Sequence, residues 1–238
     1  MVAAMWSASL LLDGCSPKTA DGDKAQFARL AAEMDGILAA EASVDGKTLD
    51  MAIHTTGDAA VLEKIIKGSA FRMRAAVLAY RGTIKSLDYP HFIEPERLAQ
   101  KGGLADATKR IAQIHAAFDT LHKAVLSEQD GMRRALAAAA VPAEIRGPML
   151  AQLDRRIATD GPKVELLFGD QSALFDEVAA MVNDLRHSKA HWTAKGRHMQ
   201  FYDQGDLDTY KAHGNRLRTL EAKIAGERHA VLPAPVHT

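Results

Sequence analysis

The stretch LADATKRIAQIHAAFDTLHKAV, residues 104–125, decides the fold. Its apolar residues Leu104, Ala107, Ile111, Ile114, Phe118, Leu121 and Val125 recur at alternating steps of 3 and 4. That spacing keeps all of them on one side of an α-helix, which must bury a lengthwise seam against long neighbours, as bundle helices do. The same seam serves an internal core or a contact between two chains.

The helical period extends in both directions from this seam. Upstream, Leu62, Ile66, Ser69, Met73, Ala76, Tyr80, Ile84 and Leu87 predict a long helix over about 58–87. Asp88-Tyr89-Pro90 ends it, because proline disfavours helix in the residue before it. Glu94-Pro95 opens the next segment, with proline at a first helical position, and Gly102-Gly103 bends or breaks it. An earlier helix over about 23–42 shows Phe27, Leu30, Met34, Ile37 and Leu38 on one face, with Asp23 as N-cap. Residues 43–57 read as a loop.

Downstream, shorter helices are expected over 128–140 and 143–158, split by Val141-Pro142, with Gly147-Pro148, Gly161-Pro162 and Gly169 as further breaks. A long helix over about 172–194 presents Leu174, Phe175, Val178, Met181, Val182, Leu185 and Trp192. A turn over 196–205 holds the apolar Met199–Phe201. The last helix, about 206–226, turns Leu207, Tyr210, Leu217, Leu220 and Ile224 inward. No long strand, repeat or linker appears. The fold class is therefore all-α: an elongated up-and-down helical bundle with long helices and short connecting helices. Its organisation reads as a signal-like apolar segment (1–14), a polar tether (15–22), a single bundle domain (23–228) and a mobile tail (229–238).

Composition supports helices over sandwiches. Aromatics are 5% of 238 residues and alanine is frequent, whereas strands favour branched and aromatic side chains. Lys plus Arg and Asp plus Glu balance at 30 each, which gives no electrostatic reason for a nucleic-acid partner. The sole cysteine, Cys15, rules out an intramolecular disulfide framework and a multi-cysteine metal site.

Cys15 has a distinctive setting. Residues 2–12 are uncharged and apolar, too short to span a bilayer as a helix but suited to the apolar part of a secretory signal. Leu12-Asp13-Gly14-Cys15 follows and resembles the bacterial lipobox, in which the cysteine is diacylated and becomes the mature N-terminus. Ser16 through Asp23 then form the polar tether. Two features depart from the pattern: Asp13 stands where a small neutral residue is usual, and no Lys or Arg precedes Lys18. The plain alternative is an inert cysteine near a frayed end. Serine after the cysteine resembles the outer-membrane sorting signal, so the expected location is the cell envelope, lipid-anchored to the outer membrane and facing the periplasm.

The chemical motifs are sparse. Gly46-Lys47-Thr48 resembles the end of a phosphate-binding loop, but Glu41 occupies the first glycine position and would repel phosphate. His187 and His191 share a helical face, with His198 just beyond, a spacing that permits metal ligation. Glu177 and Asp184 are the nearest carboxylates, and solvated surface histidines are the plain alternative. His115 and His122 also share a face. No nucleophile–base pair stands out, so no catalytic residue and no cofactor are expected.

Three places resemble an uncharacterised family of bacterial envelope lipoproteins, the YiaF-like proteins, grouped as a domain of unknown function. They are Asp23-Lys24-Ala25-Gln26-Phe27 close behind Cys15; Ile93-Glu94-Pro95-Glu96-Arg97-Leu98 leading through Gly103-Leu104 into the seam; and Gly196 through Phe201 followed by Tyr210 and Leu217. The family's Tyr-Asn-x-Leu-like helix is more loosely spaced here, at His213, Asn215 and Leu217. The resemblance implies an all-helical lipoprotein without known activity. The anchor and the absence of a catalytic signature lead to the expectation of a non-enzymatic envelope lipoprotein that meets the membrane through its anchor and binds an envelope protein partner or helps envelope maintenance. The competing reading is a periplasmic bundle binding a metal or small ligand through His187, His191 and His198.

Overall fold

The computed structural model describes residues 25–30 and 51–231, the side chains of 228–231 excepted. Cys15, the tether, most of the 23–42 helix and the tail from 232 lie outside the described residues. Residues 25–30 are helical. Five helices follow: α1 (Gly57–Ser86), the short α2 (Pro95–Ala99), α3 (Gly103–Ala138), α4 (Ala143–His187) and α5 (Gln204–Val231). A two-stranded hairpin of β1 (Trp192–Lys195) and β2 (His198–Phe201) joins α4 to α5.

The long helices pack in chain order, α1 on α3, α3 on α4, α4 on α5, each antiparallel to the one before. Cross-links show the direction. Between α1 and α3, Arg72 meets Glu128, Tyr80 meets Phe118, and Arg110 reaches the Leu87 carbonyl beyond the end of α1. Between α3 and α4, His115 bonds Ser172, His122 bonds Glu165 and Arg133 bonds Asp154. This is the up-and-down bundle that the hydrophobic period predicts.

Two cores lie along its length. One gathers Leu62, Ile66 and Met73 of α1, Met132 and Leu136 of α3, Met149 and Leu153 of α4, and Leu30 from the helical turn before α1. The other gathers the first half of α3, the second half of α4, Phe92, Leu98, Trp192 and Ile224. Leu104, Ala107, Ile111, Ile114, Phe118 and Leu121 are all buried in this second core, and Val125 packs against both. The seam is thus internal to one chain.

Gly102-Gly103 marks a close approach as well as a break. Gly102 has φ +83°, and a Cβ on Gly103 would stand 1.9 Å from the Arg97 carbonyl oxygen. The first turn of α3 therefore packs directly on the backbone of α2.

Three expectations are corrected. The breaks at Gly147-Pro148, Gly161-Pro162 and Gly169 do not occur: α4 runs unbroken for 45 residues, roughly 67 Å. Likewise α3 continues to Ala138 in place of a separate helix from 128. Proline inside a helix loses a hydrogen bond and crowds the preceding turn. Both prolines here follow glycine, which has no Cβ to clash with the proline ring, and the α3 contacts at Asp154, Glu165 and Ser172 hold α4 along most of its length. The third correction concerns 172–194. The helix ends at His187, and Trp192 begins a strand instead. Its indole folds back, donating to the Leu185 carbonyl at 2.7 Å, with the Lys189 ammonium 3.9 Å from the ring centre. Trp192 pairs with Phe201 and Lys195 with His198 across a two-residue loop. Gly196 at its first position has φ +60°, where a type II′ turn favours glycine.

Candidate functional site

The most concentrated polar cluster lies where α4 meets α5, beneath the hairpin. On α4, Glu177, Met181 and Asp184 follow one another at helical spacing toward α5. From α5, His213 enters between the two carboxylates and is buried. Its Nδ1 lies 2.5 Å from Glu177 Oε1 and its Nε2 2.9 Å from Asp184 Oδ2. Carboxylates only accept, so each ring N–H donates to the carboxylate it faces. Arg216, one turn on, donates from Nε to the same Glu177 oxygen at 2.7 Å, and its Nη2 is 2.9 Å from His213 Nδ1. The Arg216 guanidinium and the His213 ring thus converge on Glu177, while Asp184 stays half-exposed.

A cleft opens beside this cluster, lined among others by Asp184, Ser188, Phe201, Asp206, Tyr210 and His213. It offers about 20 Å³ to water centres, room for one or two waters. Tyr210 lies against Phe201 with ring centres 5.2 Å apart, and burial raises its phenol pKa. At the rim, His191 Nδ1 meets Asp206 Oδ2 at 2.7 Å.

The three histidines singled out by spacing do not converge. His187 bonds the Asn183 carbonyl one turn back at 2.8 Å, His191 is taken by Asp206, and His198 sits exposed on the hairpin opposite Lys195. The helix ends between His187 and His191, so their shared helical face is never formed. Among the described residues, no group of three or more His, Cys, Asp or Glu is placed to hold a metal ion. His115 and His122 each bond a separate α4 residue, and His122 also stacks on Phe168 at 4.3 Å.

Glu177 and Asp184, the carboxylates nearest His187 and His191 in sequence, bond His213 instead. The signal for His213 was present in α5. Leu207, Tyr210, Leu217 and Ile224 leave a gap of seven between 210 and 217, and a helical seam must place an inward residue at 213 or 214.

Two further buried charge clusters bind elements together. At the start of α1, Glu63 is fully buried and accepts from the backbone N–H groups of His54 and Thr55 and from the Thr55 hydroxyl, the last at 2.7 Å. Lys67, one turn on, pairs with Glu63 at 2.7 Å and donates to the Ala52 carbonyl. Burial raises the Glu63 pKa, but Lys67, Thr55 and the two backbone donors outweigh it and bring it down to about 2. This clamp fixes residues 52–55 to the bundle, and Gln26 accepts from the Thr56 N–H just beyond. Further along α4, Asp170 pairs with Lys223 of α5 at 2.7 Å, which lowers the Asp170 pKa. Burial and the neighbouring Asp170 raise the pKa of Glu227. Asp170 Oδ2 and both Glu227 oxygens are buried without a donor, and a proton held by Glu227 would supply one.

The chain matches no family model, no curated protein and no solved structure.

Proposed function

We propose that this protein is a non-enzymatic lipoprotein of the bacterial envelope, exported and held at the outer membrane through acylation of Cys15, with its bundle facing the periplasm. The carrying observation is the placement of Cys15 itself. It is the sole cysteine, three residues after an uncharged apolar run that ends at Leu12, with Asp13 and Gly14 between, and it opens a polar tether. The likeness to the YiaF-like lipoproteins supports the same reading.

The bundle's polar chemistry supports a role in binding or maintenance over catalysis. Both ring nitrogens of His213 contact carboxylates, Glu63 and Glu177 are each held by a basic side chain, and the cleft beside His213 admits a water or two. No helix among the described residues is long and apolar enough to cross a membrane. Residue 25, where the described helix begins, stands ten residues after Cys15, a reach of at most about 36 Å. Mass spectrometry of the mature N-terminus tests the proposal. A diacylglyceryl group on Cys15 with loss of residues 1–14 is expected; an unmodified chain beginning at Met1 in the cytoplasm overturns it.

A further inference from the structure

The exposed face of α1 carries a pattern of apolar and basic side chains that the two cores do not include. Between residues 61 and 86 its exposed positions are Val61, Lys64, Phe71, Arg72, Ala75, Leu78, Ala79, Arg81, Gly82, Lys85 and Ser86. None is acidic. The one carboxylate in that span, Glu63, is buried against Lys67. Lys64, Phe71, Leu78 and Lys85 recur every seven residues, with Val61, Gly68, Ala75 and Gly82 in a parallel row beside them, so they share one side of the helix. Phe71 is 55%, Leu78 49% and Val61 41% exposed. The strip runs from Lys64 to Lys85, about 31 Å. Arg72, on its flank, pairs with Glu128 of α3.

We propose that this face of α1 docks on the surface of an anionic lipid bilayer. Exposed apolar side chains along a helix, with Lys64 and Lys85 at the two ends of their row, match the layering of a membrane interface: acyl chains take the apolar groups and lipid phosphates the lysines. The charge of the face selects among occupants. A second copy docking through the same face would set basic rows against each other. A nucleic acid would meet the cations but would leave Phe71, Leu78 and Val61 without apolar partners. The lipid surface satisfies both halves. Lys64 and Lys85 can lay their methylene stems along the apolar row and still reach phosphate. The inference extends the membrane-tether reading without depending on acylation, since the face acts on lipid directly.

The test uses the full-length chain with Cys15→Ser, so that no acyl group contributes, and Ala75→Cys carrying an environment-sensitive fluorophore at the middle of the strip. A second chain carries the label at Ala158→Cys, exposed on α4. Vesicles contain phosphatidylglycerol with phosphatidylethanolamine, or phosphatidylcholine alone. With the anionic vesicles, emission from position 75 shifts to the blue and emission from 158 does not. Lys64→Glu with Lys85→Glu weakens the titration by about tenfold or more, and added salt weakens the wild type in the same direction. Phe71→Ser with Leu78→Ser removes the blue shift while circular dichroism remains unchanged, because both side chains lie outside the core. Equal response to phosphatidylcholine, equal shifts at 75 and 158, or indifference to both double variants overturns the proposal. So does a doubled solution mass that depends on Phe71, or a position-75 response to single-stranded DNA that exceeds the response to anionic vesicles. The N-terminal mass and the vesicle titration fail separately, so loss of one reading leaves the other standing.

Discussion

Replacing Lys67 with methionine removes the cation from the Glu63 clamp while keeping the length of the side chain. Glu63 is fully buried and Lys67 nearly so, with side-chain exposures of 0% and 4%. Breaking a buried ion pair from one side leaves an uncompensated charge and costs about 3–5 kcal/mol. Three donors from His54 and Thr55 still reach Glu63, which puts the cost near the lower bound, about 3 kcal/mol. Protonation of Glu63 is linked to the same contacts. The Glu63 pKa falls from 4.5 to about 2 in the fold, a linkage of about 3 kcal/mol. The folded state therefore binds fewer protons than the unfolded state between those values. The stabilisation is complete above pH 5 and is lost as pH falls through 4.5 toward 2. Urea unfolding followed by circular dichroism at pH 7, 5, 3.5 and 2.5 reads both quantities. Lys67→Met is expected to lose about 3 kcal/mol at pH 7 with an unchanged slope. Glu63→Gln should lose about 2–3 kcal/mol at pH 7 and progressively less at each lower pH. A Glu63→Gln deficit that stays constant down to pH 2.5, or a Lys67→Met cost below about 1 kcal/mol, would refute the reasoning.

Gly103→Ala should destabilise by more than about 3 kcal/mol in the same denaturation assay, because its Cβ meets the Arg97 carbonyl oxygen at 1.9 Å. Gly131→Ala, in an open position inside α3, should instead stabilise by about 0.5–1 kcal/mol, and any loss there argues against a continuous α3. Pro162→Ala should raise the midpoint of thermal unfolding, since it restores a hydrogen bond within α4; a lowered midpoint would mean that the helix breaks at this proline. His213→Leu should cost about 2–4 kcal/mol by taking the ring's hydrogen bonds from Glu177 and Asp184, and adding Glu177→Gln and Asp184→Asn should recover part of the loss. Failure of the triple variant to recover would show that the histidine's shape, not its hydrogen bonding, holds the seam.

The long seams were legible because their signal is redundant. Seven apolar residues over 22 positions in α3 fix a face that no single substitution could disguise, and the inward row from Leu62 to Leu87 does the same for α1. The stops at Asp88-Tyr89-Pro90 and Gly102-Gly103 were equally readable, since local backbone chemistry imposes them. Proline and glycine misled in α4, where each proline follows a glycine and packing against α3 overrides local preference. The hairpin was missed because four-residue strands carry too few alternations to stand out beside helical ones, although Lys195-Gly196-Arg197-His198 holds its turn. The His213 cluster eluded the search because histidine does not register in a hydrophobic pattern, and its carboxylates come from another helix 29 and 36 residues away. The charged face of α1 was hidden differently: an equal count of acids and bases over the whole chain conceals six Lys and Arg against two carboxylates in α1.

The chain-order packing of the long helices also sets how the protein assembles. Each long helix docks on the one before it, so native contacts form between neighbours in sequence and little loop-closure entropy stands in the way. Topology of this kind, rich in contacts between sequence neighbours, folds faster than sheet pairings of similar size. A chain emerging N-terminus first can bury α1 against α3 before α4 is complete and can add α5 last, with no early element held waiting for a distant strand. Exposure of apolar faces is then brief at every stage, which limits the interval in which an incompletely folded chain is open to aggregation or proteolysis.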